Sequence, residues 1–352
     1  MAQINKPDDY FTTFLWTGDG ASTRSITGVG LQADMMWSKI RNVGHQHNLV
    51  DTVRGVNQRL LSPNDSGAED TTGTQGYFNS LDSDGFSLTY GGAGGYNTNR
   101  SGEPYVGWFW KANGSGSSNT DGSITSTVSA NTTSGFSIVS YTGNGTAGAT
   151  IGHGLGSKPR FIVAKMRDSA NNWLVQHGSL GATKRILLDT TLAESTQPFW
   201  GDTEPTSDVF SVGSVDLVNQ NGNTYIAYCF AEKKGFSKFG SYTGNGSSTD
   251  GTFVYTGFKP AFVMVKRTDS AGEDWNTIDN KRDPFNNGYH QLVANSSNSE
   301  NTSDTSRNNF YSNGFKLGTT NGAYNGSGYS YIYMCFAENS FVTSTGIPTT
   351  AR

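Results

Sequence analysis

The strongest constraint on this chain is an internal repeat. The pentapeptide Tyr-Thr-Gly-Asn-Gly at 141–145 recurs unchanged at 242–246, and a weaker form, Trp-Thr-Gly-Asp-Gly, stands at 16–20. An apolar run that ends in lysine follows each of these motifs, at 30–39, 158–165 and 259–266. An aromatic segment closes each repeated unit, at 105–112, 225–232 and 331–338. Because self-similarity at a fixed period marks repeated structural units, the sequence predicts three copies of one domain-sized unit.

Each copy is predicted to consist of short strands. The segments 136–141 and 161–166 are rich in β-branched and aromatic residues and are bounded by glycine or proline turns, which is typical of strands. With 45 glycines and 12% aromatic residues, the chain is turn-rich and too aromatic to be disordered. A unit of about 100 residues with many short strands suits a two-sheet sandwich. The predicted fold is therefore all-β, with three tandem homologous antiparallel β-sandwich domains of jelly-roll or laminin-G-like topology.

The predicted domain boundaries follow the repeats. The first sandwich covers 1–112, the second 136–235 and the third 236–341, and a C-terminal tail covers 342–352. The intervening segment 113–135 consists almost entirely of Gly, Ser, Thr, Asn and Asp. We interpret it as a linker, with a polar hairpin as the alternative.

The two cysteines are predicted to be free, buried thiols. Cys229 and Cys335 occupy the same position of the closing segment in copies two and three, where copy one has Phe109. A disulfide requires Cα atoms within about 7 Å, and equivalent positions of two separate sandwiches are expected to lie farther apart. Free thiols also agree with synthesis in a reducing cytoplasm.

Charge and hydropathy argue against several classes of partner. The 25 basic and 29 acidic residues give a net charge of -4, so nothing predicts the basic face that nucleic-acid recognition uses. No apolar run approaches the roughly 20 residues of a membrane-spanning helix. The first residues have neither the basic region nor the apolar core of a secretory signal. The sequence predicts no nucleic-acid partner, no membrane insertion and no signal peptide.

No catalytic or metal-binding pattern emerges from the sequence. His45 and His47 could lie on one face of a strand, as metal ligands do, but no acidic residue or cysteine accompanies them and neither has an evident counterpart in the other copies. One glutamate recurs in each copy, as Glu69, Glu194 and Glu300. A glycosidase needs a second carboxylate beside the first, and none recurs. We therefore predict a protein that is not an enzyme and has no cofactor, metal or disulfide.

The candidate ligand-binding residues are tryptophans beside amide side chains. Trp173 follows Asn171 and Asn172, and Trp275 and Trp200 stand next to acidic residues or glycine. Aromatic rings beside polar side chains on loops suit the recognition of sugars. The alternative is that Trp173 and Trp275, which share one position in copies two and three, are core anchors. Trp200 has no counterpart in the other copies.

The repeated motifs resemble a known family. The segment 136–145 (Phe-Ser-Ile-Val-Ser-Tyr-Thr-Gly-Asn-Gly), the segment 153–165 and the segment 223–232 (Asn-Thr-Tyr-Ile-Ala-Tyr-Cys-Phe-Ala-Glu) are similar to a repeat domain of virion structural proteins from marine bacteriophages, including cyanophages and pelagiphages. The resemblance covers nearly the whole chain. It implies a tail-fibre, tail-appendage or receptor-binding subunit, made in the host cytoplasm and located in the virion. The implied partners are other virion proteins and a host cell-surface glycan or protein, in a homo-oligomer with a trimer favoured.

The first copy departs most from this pattern. Trp16, Asp19 and Trp110 replace residues that the other two copies share, which suggests that the first domain docks to the particle. The family supplies no catalytic residues. Two other functions remain open at this point: a capsid decoration, head-fibre or collar protein, and a polysaccharide depolymerase.

Overall fold

The computed structural model describes residues 3–57, 61–74, 76–91, 98–286, 288–303 and 308–349. The chain is all-β, as predicted, with several antiparallel sheets. Within the described residues, helix is confined to a 3-10 turn at Pro7–Asp9 and the short helix α1 at Asp216–Asn219. Neither segment is long and apolar enough to span a bilayer.

The first repeat forms two sheets. Its strands are β1 (Phe11–Thr17), β2 (Thr23–Thr27), β3 (Met35–Ile40), β4 (Asn48–Asp51), β5 (Gly76–Asp82), β6 (Gly85–Tyr90) and β7 (Pro104–Trp110). We call the four-stranded sheet β1-β7-β3-β4 the inner sheet and the three-stranded sheet β2-β6-β5 the outer sheet, and we use the same names for the matching sheets of the other repeats. The closing strand β7 lies between β1 and β3, and six of its seven residues are buried.

The second repeat has a larger inner sheet. Its strands are β8 (Ser117–Asn119), β9 (Ser126–Asn131), β10 (Phe136–Thr142), β11 (Ala149–Gly152), β12 (Phe161–Met166), β13 (Leu174–His177), β14 (Lys184–Leu187), β15 (Ser195–Thr196), β16 (Val209–Val212) and β17 (Thr224–Phe230). The inner sheet runs β15-β14-β13-β12-β17-β10-β9-β8, and β11 pairs with β16 in the outer sheet.

The segment 113–135 is not a linker. It forms the hairpin β8–β9, and β9 pairs along β10 from Asn131 opposite Phe136 to Ser126 opposite Tyr141. Val128 is buried by this pairing. The hairpin alternative is therefore correct, and the polar segment is an integral edge of the second repeat.

The third repeat repeats the arrangement of the first. Its strands are β18 (Ser237–Thr243), β19 (Phe253–Tyr255), β20 (Phe258–Arg267), β21 (Asn276–Asp279), β22 (Leu292–Val293), β23 (Asn308–Tyr311), β24 (Gly314–Leu317) and β25 (Ser330–Ser340). The inner sheet runs β18-β25-β20-β21-β22, and the outer sheet runs β19-β24-β23.

The repeated pentapeptide carries the chain out of the inner sheet. In the second repeat it begins with the last two residues of β10, and Gly145 adopts a φ of 71°, a conformation that glycine reaches without strain. Buried Asn219 fixes this turn: its Oδ1 accepts from the backbone N–H of Asn144 at 2.9 Å, and its Nδ2 donates to the carbonyl of Thr146 at 2.9 Å. Asn99 and Asn325 hold the corresponding turns of the other repeats, which explains why these residues recur.

The sequence suggested three separate lobes. The repeats instead form one body, because their inner sheets face one another around a common centre. At that centre the closing-strand residues Trp110, Phe230 and Phe336 form a triangle, with ring centroids 6.4, 5.8 and 5.6 Å apart. We call the apolar cluster around this triangle the central core. It draws residues from all three repeats, so each repeat covers the inner faces of the other two.

Each repeat also has an outer core between its inner and outer sheets. Cys229 belongs to the outer core of the second repeat and Cys335 to that of the third. Both thiols are buried and free, and burial raises the pKa of each above its ordinary value. A buried, protonated thiol is a poor nucleophile, so both residues act as packing groups.

Candidate functional site

The tryptophans proposed as ligand-binding residues are all buried. Trp173 and Trp200 are 0% exposed and Trp275 is 1% exposed. Trp200 packs in the outer core of the second repeat, 6.4 Å from Phe210 between ring centroids. None of these rings presents a face to a sugar, so the prediction of an exposed aromatic surface at these positions is wrong.

Trp173 and Trp275 instead join one repeat to the next. Trp173 Nε1 donates to the carbonyls of Ser62 and Asp65 in the first repeat, both at 3.0 Å. Trp275 Nε1 donates to the carbonyl of Leu187 in the second repeat at 2.8 Å. The core-anchor alternative is the one that the structure supports.

Asn171 and Asn172 serve the same contact region. The backbone N–H of Asn171 donates to the carbonyl of Ser66 at 2.8 Å, and Asn172 Nδ2 donates to Asp189 Oδ2 at 2.9 Å. Both asparagines are partly buried. The first bond joins the first and second repeats, the second fixes a loop within the second repeat, and no ligand is needed to explain the two residues.

His47 occupies the position in the first repeat that Trp173 and Trp275 occupy in the other two. The sequence alone did not show this equivalence. Strand pairing places Leu49 opposite Trp37 and Val175 opposite Val163, so His47 stands where the second repeat has Trp173. Its Nε2 lies 3.1 Å from the carbonyls of Val293 and Ser296 in the third repeat, and its Nδ1 accepts from Trp37 Nε1 at 2.8 Å. Burial lowers the pKa of His47 to about 3, so the imidazole stays neutral.

A buried ionic network joins the first repeat to the second. Glu69 Oε1 accepts from Arg54 Nη1 at 2.7 Å, and Glu69 Oε2 accepts from Arg167 Nη2 at 2.9 Å. Arg54 also pairs with buried Asp51, whose Oδ2 accepts from the Tyr228 hydroxyl at 2.7 Å. Burial raises the pKa of the Glu69 carboxyl, but the charges of the two arginines outweigh burial and hold it below its usual value.

The same network joins the third repeat to the first. Glu300 Oε1 accepts from Arg282 Nη1 at 2.9 Å, and Glu300 Oε2 accepts from Arg41 Nη2 at 2.7 Å. Arg282 pairs with buried Asp279, whose Oδ2 accepts from Trp108 Nε1 at 3.0 Å. Removing one partner from such a network leaves an uncompensated buried charge, so both networks hold their repeats in one arrangement.

The contact between the second and third repeats lacks this network. The backbone N–H of Glu194 donates to the carbonyl of Thr268 at 2.9 Å, as Glu69 does to Arg167. The side chains around it differ, since Thr268 stands where the other interfaces have Arg41 or Arg167. A cleft of about 420 Å³ opens here between the two repeats. It is lined by Ser179, Leu180, Glu194, Ser241, Tyr242, Thr243, Thr268, Asp269, Ser330, Tyr331 and Ile332.

A buried lysine stands at one equivalent position of each inner sheet. Lys39, Lys165 and Lys266 are all 0% exposed, and their Nζ atoms donate to backbone carbonyls between 2.7 and 3.5 Å away. Burial lowers the pKa of Lys39 to about 7 and the pKa of Lys165 and Lys266 to about 8, against the attraction of nearby carboxylates. These lysines are therefore structural donors whose charge is costly to bury.

A smaller polar pocket lies on the surface of the third repeat. Phe285, which is 78% exposed, lies at its edge, and Asn280, Asp283 and Asn308 are among its other lining residues. Asn308 is 3% exposed, yet neither end of its side-chain amide has a hydrogen-bond partner in the described part of the chain. The pocket volume of about 20 Å³ accepts a water-sized group such as a hydroxyl. Nowhere in the described ranges do three or more His, Cys, Asp or Glu side chains group as metal ligands.

The fold and these contacts define an all-β protein whose recurrent polar residues connect its repeats. The chain belongs to a family whose model is described as a domain of unknown function (DUF7483) and matches residues 6–340. One family model thus spans all three repeats, in agreement with their shared central core. No curated protein and no solved structure matches the chain.

Proposed function

We propose that this chain is a non-enzymatic structural subunit of a bacteriophage particle, in a tail fibre or tail appendage that contributes to binding of a host surface glycan. The resemblance of the repeated motifs supports the particle assignment. The observation that carries the structural role is the use of recurrent ionisable groups: Glu69 and Glu300 each bind two guanidinium groups between repeats. A carboxylate held in this way serves cohesion rather than proton transfer.

We further propose that the three repeats are homologous copies of one β-sandwich module, related by a pseudo-threefold axis through the central core. The contacts between repeats support this, because they run in one direction around the ring. Glu69 of the first repeat reaches the second, Glu194 of the second reaches the third, and Glu300 of the third reaches the first. A body of this shape suits a threefold axis of a particle.

The surface pocket of the third repeat is our candidate for glycan contact. Phe285 offers an exposed apolar face for a sugar ring, and Asn308 offers a buried amide that has no partner among the described residues to one sugar hydroxyl. Asp283 and Asn280 lie in the same pocket. This arrangement has the chemistry that the sequence had suggested for the buried tryptophans.

Adsorption of particles to host cells tests the glycan proposal. Purified chain in excess is expected to compete with particles for host cells, and Phe285→Ala is expected to weaken the competition at least tenfold. Ile347→Ala, which removes another exposed apolar side chain, serves as the matched control and is expected to compete as well as the wild type. Equal competition by the Phe285 variant would exclude this pocket, and release of reducing ends from the glycan would support a depolymerase instead.

A capsid decoration, head-fibre or collar protein is the second candidate, because the pseudo-threefold arrangement of the repeats also suits a threefold axis of a capsid shell. The number of copies distinguishes the two. Quantitative mass spectrometry and antibody labelling of purified particles are expected to give a few copies at the tail. Dozens to hundreds of copies spread over the head would replace the tail assignment with the capsid one.

A further inference from the structure

The three interfaces between repeats are built on one plan but are not filled in the same way. In two of them a glutamate binds two arginines, one from its own repeat and one from the next. The register of the inner sheets identifies the corresponding residues of the third interface. Arg41, Arg167 and Thr268 are equivalent, since their backbone N–H groups donate to the carbonyls of Pro104, Thr224 and Ser330, which are equivalent residues of the closing strands.

The second arginine is also missing from this interface. Arg54 and Arg282 follow Asp51 and Asp279 by three residues. Strand pairing places Asp51 opposite Met35 and His177 opposite Phe161, so the second repeat has His177 and Leu180 at the two positions. Glu194 therefore has the backbone position of Glu69 and Glu300 without either guanidinium partner.

The space that the arginines fill elsewhere is open here. The cleft of about 420 Å³ falls in the size range of small-ligand sites. Its charged lining residues are Glu194 and Asp269, and its other polar groups include the hydroxyls of Ser179, Ser241 and Ser330. Asp269 is already paired with Arg267 at 2.6 Å, whereas the cation that the side chain of Glu194 meets among the described residues is Lys184, at 3.5 Å.

The Lys184 contact does not replace the missing network. The Lys184 and Glu194 side chains are 34% and 28% exposed, whereas those of Glu69 and Glu300 are 6% and 7% exposed. An ion pair so open to water contributes little and exchanges readily. A planar guanidinium can replace it with two parallel hydrogen bonds to one carboxylate.

We propose that the cleft between the second and third repeats is a binding site for a guanidinium group, supplied by an arginine side chain of a partner protein. Glu194 is the carboxylate that receives it, in the role that Glu69 and Glu300 play toward internal arginines. The hydroxyls of the cleft wall accept the remaining N–H groups. The partner completes the one interface that this chain leaves open and so is bound in a fixed orientation relative to the three repeats.

Titration of the full chain with L-arginine amide tests the site, with L-citrulline amide as the neutral isostere and L-lysine amide as the compact cation. We expect millimolar binding of the arginine derivative by calorimetry or NMR, and at least tenfold weaker binding of the other two. Glu194→Gln is expected to reduce arginine binding at least tenfold. Glu204→Gln, at an exposed glutamate of the same repeat, is the matched control and is expected to bind like the wild type.

A second variant tests the symmetry argument directly. Thr268→Arg introduces the guanidinium that Arg41 and Arg167 provide at the other interfaces. We expect it to abolish binding of arginine amide and to raise the melting temperature by several degrees. Equal binding of citrulline amide, or unchanged arginine binding in either Glu194→Gln or Thr268→Arg, would overturn the proposal. The glycan proposal at Phe285 would be unaffected by that result, because it concerns a different site.

Discussion

At the scale of single residues, the first repeat exchanges the sizes of two neighbouring side chains in the central core. It has Trp37 and His47, whereas the second repeat has Val163 and Trp173 at the same two positions. The large ring is thus supplied by β3 in the first repeat and by the residue that precedes β13 in the second. These two repeats thus each place a tryptophan at this point of the core although both residues of the pair differ, as close packing requires.

This exchange predicts strong coupling between two substitutions. Trp37→Val alone is expected to cost about 3 kcal/mol of unfolding free energy by opening a cavity, and His47→Trp alone about 1–3 kcal/mol by overpacking. The double variant recreates the pair found in the second repeat and is expected to cost at least about 1 kcal/mol less than the sum. Urea denaturation of the four proteins measures the coupling, and strictly additive costs would contradict the assigned equivalence.

The buried lysines predict a dependence of stability on pH. Their pKa values lie at about 7 to about 8 in the folded chain, against an ordinary value of about 10.4 for an unfolded lysine. Between about pH 8 and pH 10 these three lysines therefore hold more protons in the unfolded chain than in the folded chain. Each lysine is expected to raise the unfolding free energy by about 1.4 kcal/mol per pH unit in this window, and this contribution is lost as pH falls through the folded pKa. The buried thiols Cys229 and Cys335, whose pKa is raised, act in the opposite direction above about pH 8.5.

Lys165→Met isolates one of these contributions. We expect the unfolding free energy of the variant to rise less steeply with pH between pH 8 and pH 10 than that of the wild type, because the titrating ammonium group is removed. The absolute stability of the variant also changes, since the carbonyls of Ser66 and Met166 lose a donor. Lys158→Met, at an exposed lysine, is expected to leave the slope unchanged. Chemical denaturation across this range provides the measurement, and equal slopes in the wild type and Lys165→Met would refute the assignment.

At the scale of strands and loops, the sequence predicted the strands of each repeat wherever apolar runs ended at a glycine or proline turn. It favoured a linker over the hairpin β8–β9 because that segment has few apolar side chains, among them Ile124 and Val128. The hairpin is held by backbone pairing of β9 to β10, and backbone hydrogen bonds do not require particular side chains that a sequence pattern would show. The recurring glutamates were visible in the sequence, but their partners were not, because Arg167 and Arg41 come from other repeats.

The interfaces between repeats predict an unequal response to one substitution. Glu69→Gln and Glu300→Gln each remove one carboxylate from a network with a buried arginine and are expected to cost about 3 kcal/mol or more. Glu194→Gln removes an exposed pair and is expected to cost less than about 1 kcal/mol. Urea denaturation at pH 7 compares the three variants. Equal losses at all three positions would show that the third interface is as tightly bound as the others.

At the scale of the whole molecule, the shared central core was the feature that sequence reasoning did not find. A signal for it was present in the closing strands, where Trp108, Phe109 and Trp110 are consecutive and Tyr228, Cys229 and Phe230 repeat the pattern. A strand that is apolar on both faces is buried on both faces. In a separate sandwich one of those faces would meet water, so the continuous apolar run indicated that a second layer covers each inner sheet.

The closed ring also bears on the predicted homotrimer. Because each repeat already covers the inner faces of the other two, a trimer is not needed to bury an apolar surface of the inner sheets. We therefore expect the isolated chain to be monomeric at micromolar concentration, with a mass near 37.7 kDa by light scattering. A mass of three chains would instead support the trimer predicted from sequence.

The central core further predicts that the three repeats unfold together. Trp110 lies 6.4 Å from Phe230 and 5.6 Å from Phe336 between ring centroids, so a change at this residue acts on all three repeats at once. Trp110→Ala is expected to cost about 3–5 kcal/mol and to shift every part of the transition by the same amount.

Comparing the unfolding midpoints reported by different probes tests whether the three repeats unfold together. Hydrogen exchange of the outer sheets, tryptophan fluorescence and far-ultraviolet circular dichroism are expected to report one midpoint in the wild type and one lower midpoint in the variant. Phe315→Ala, in the outer core of the third repeat, is the control from outside the centre and is likewise expected to lower one common midpoint. Repeats that unfolded independently would give separate transitions, and Phe315→Ala would then lower the transition of the third repeat alone. The number of transitions in the two variants therefore distinguishes a single cooperative body from three sandwiches joined in series.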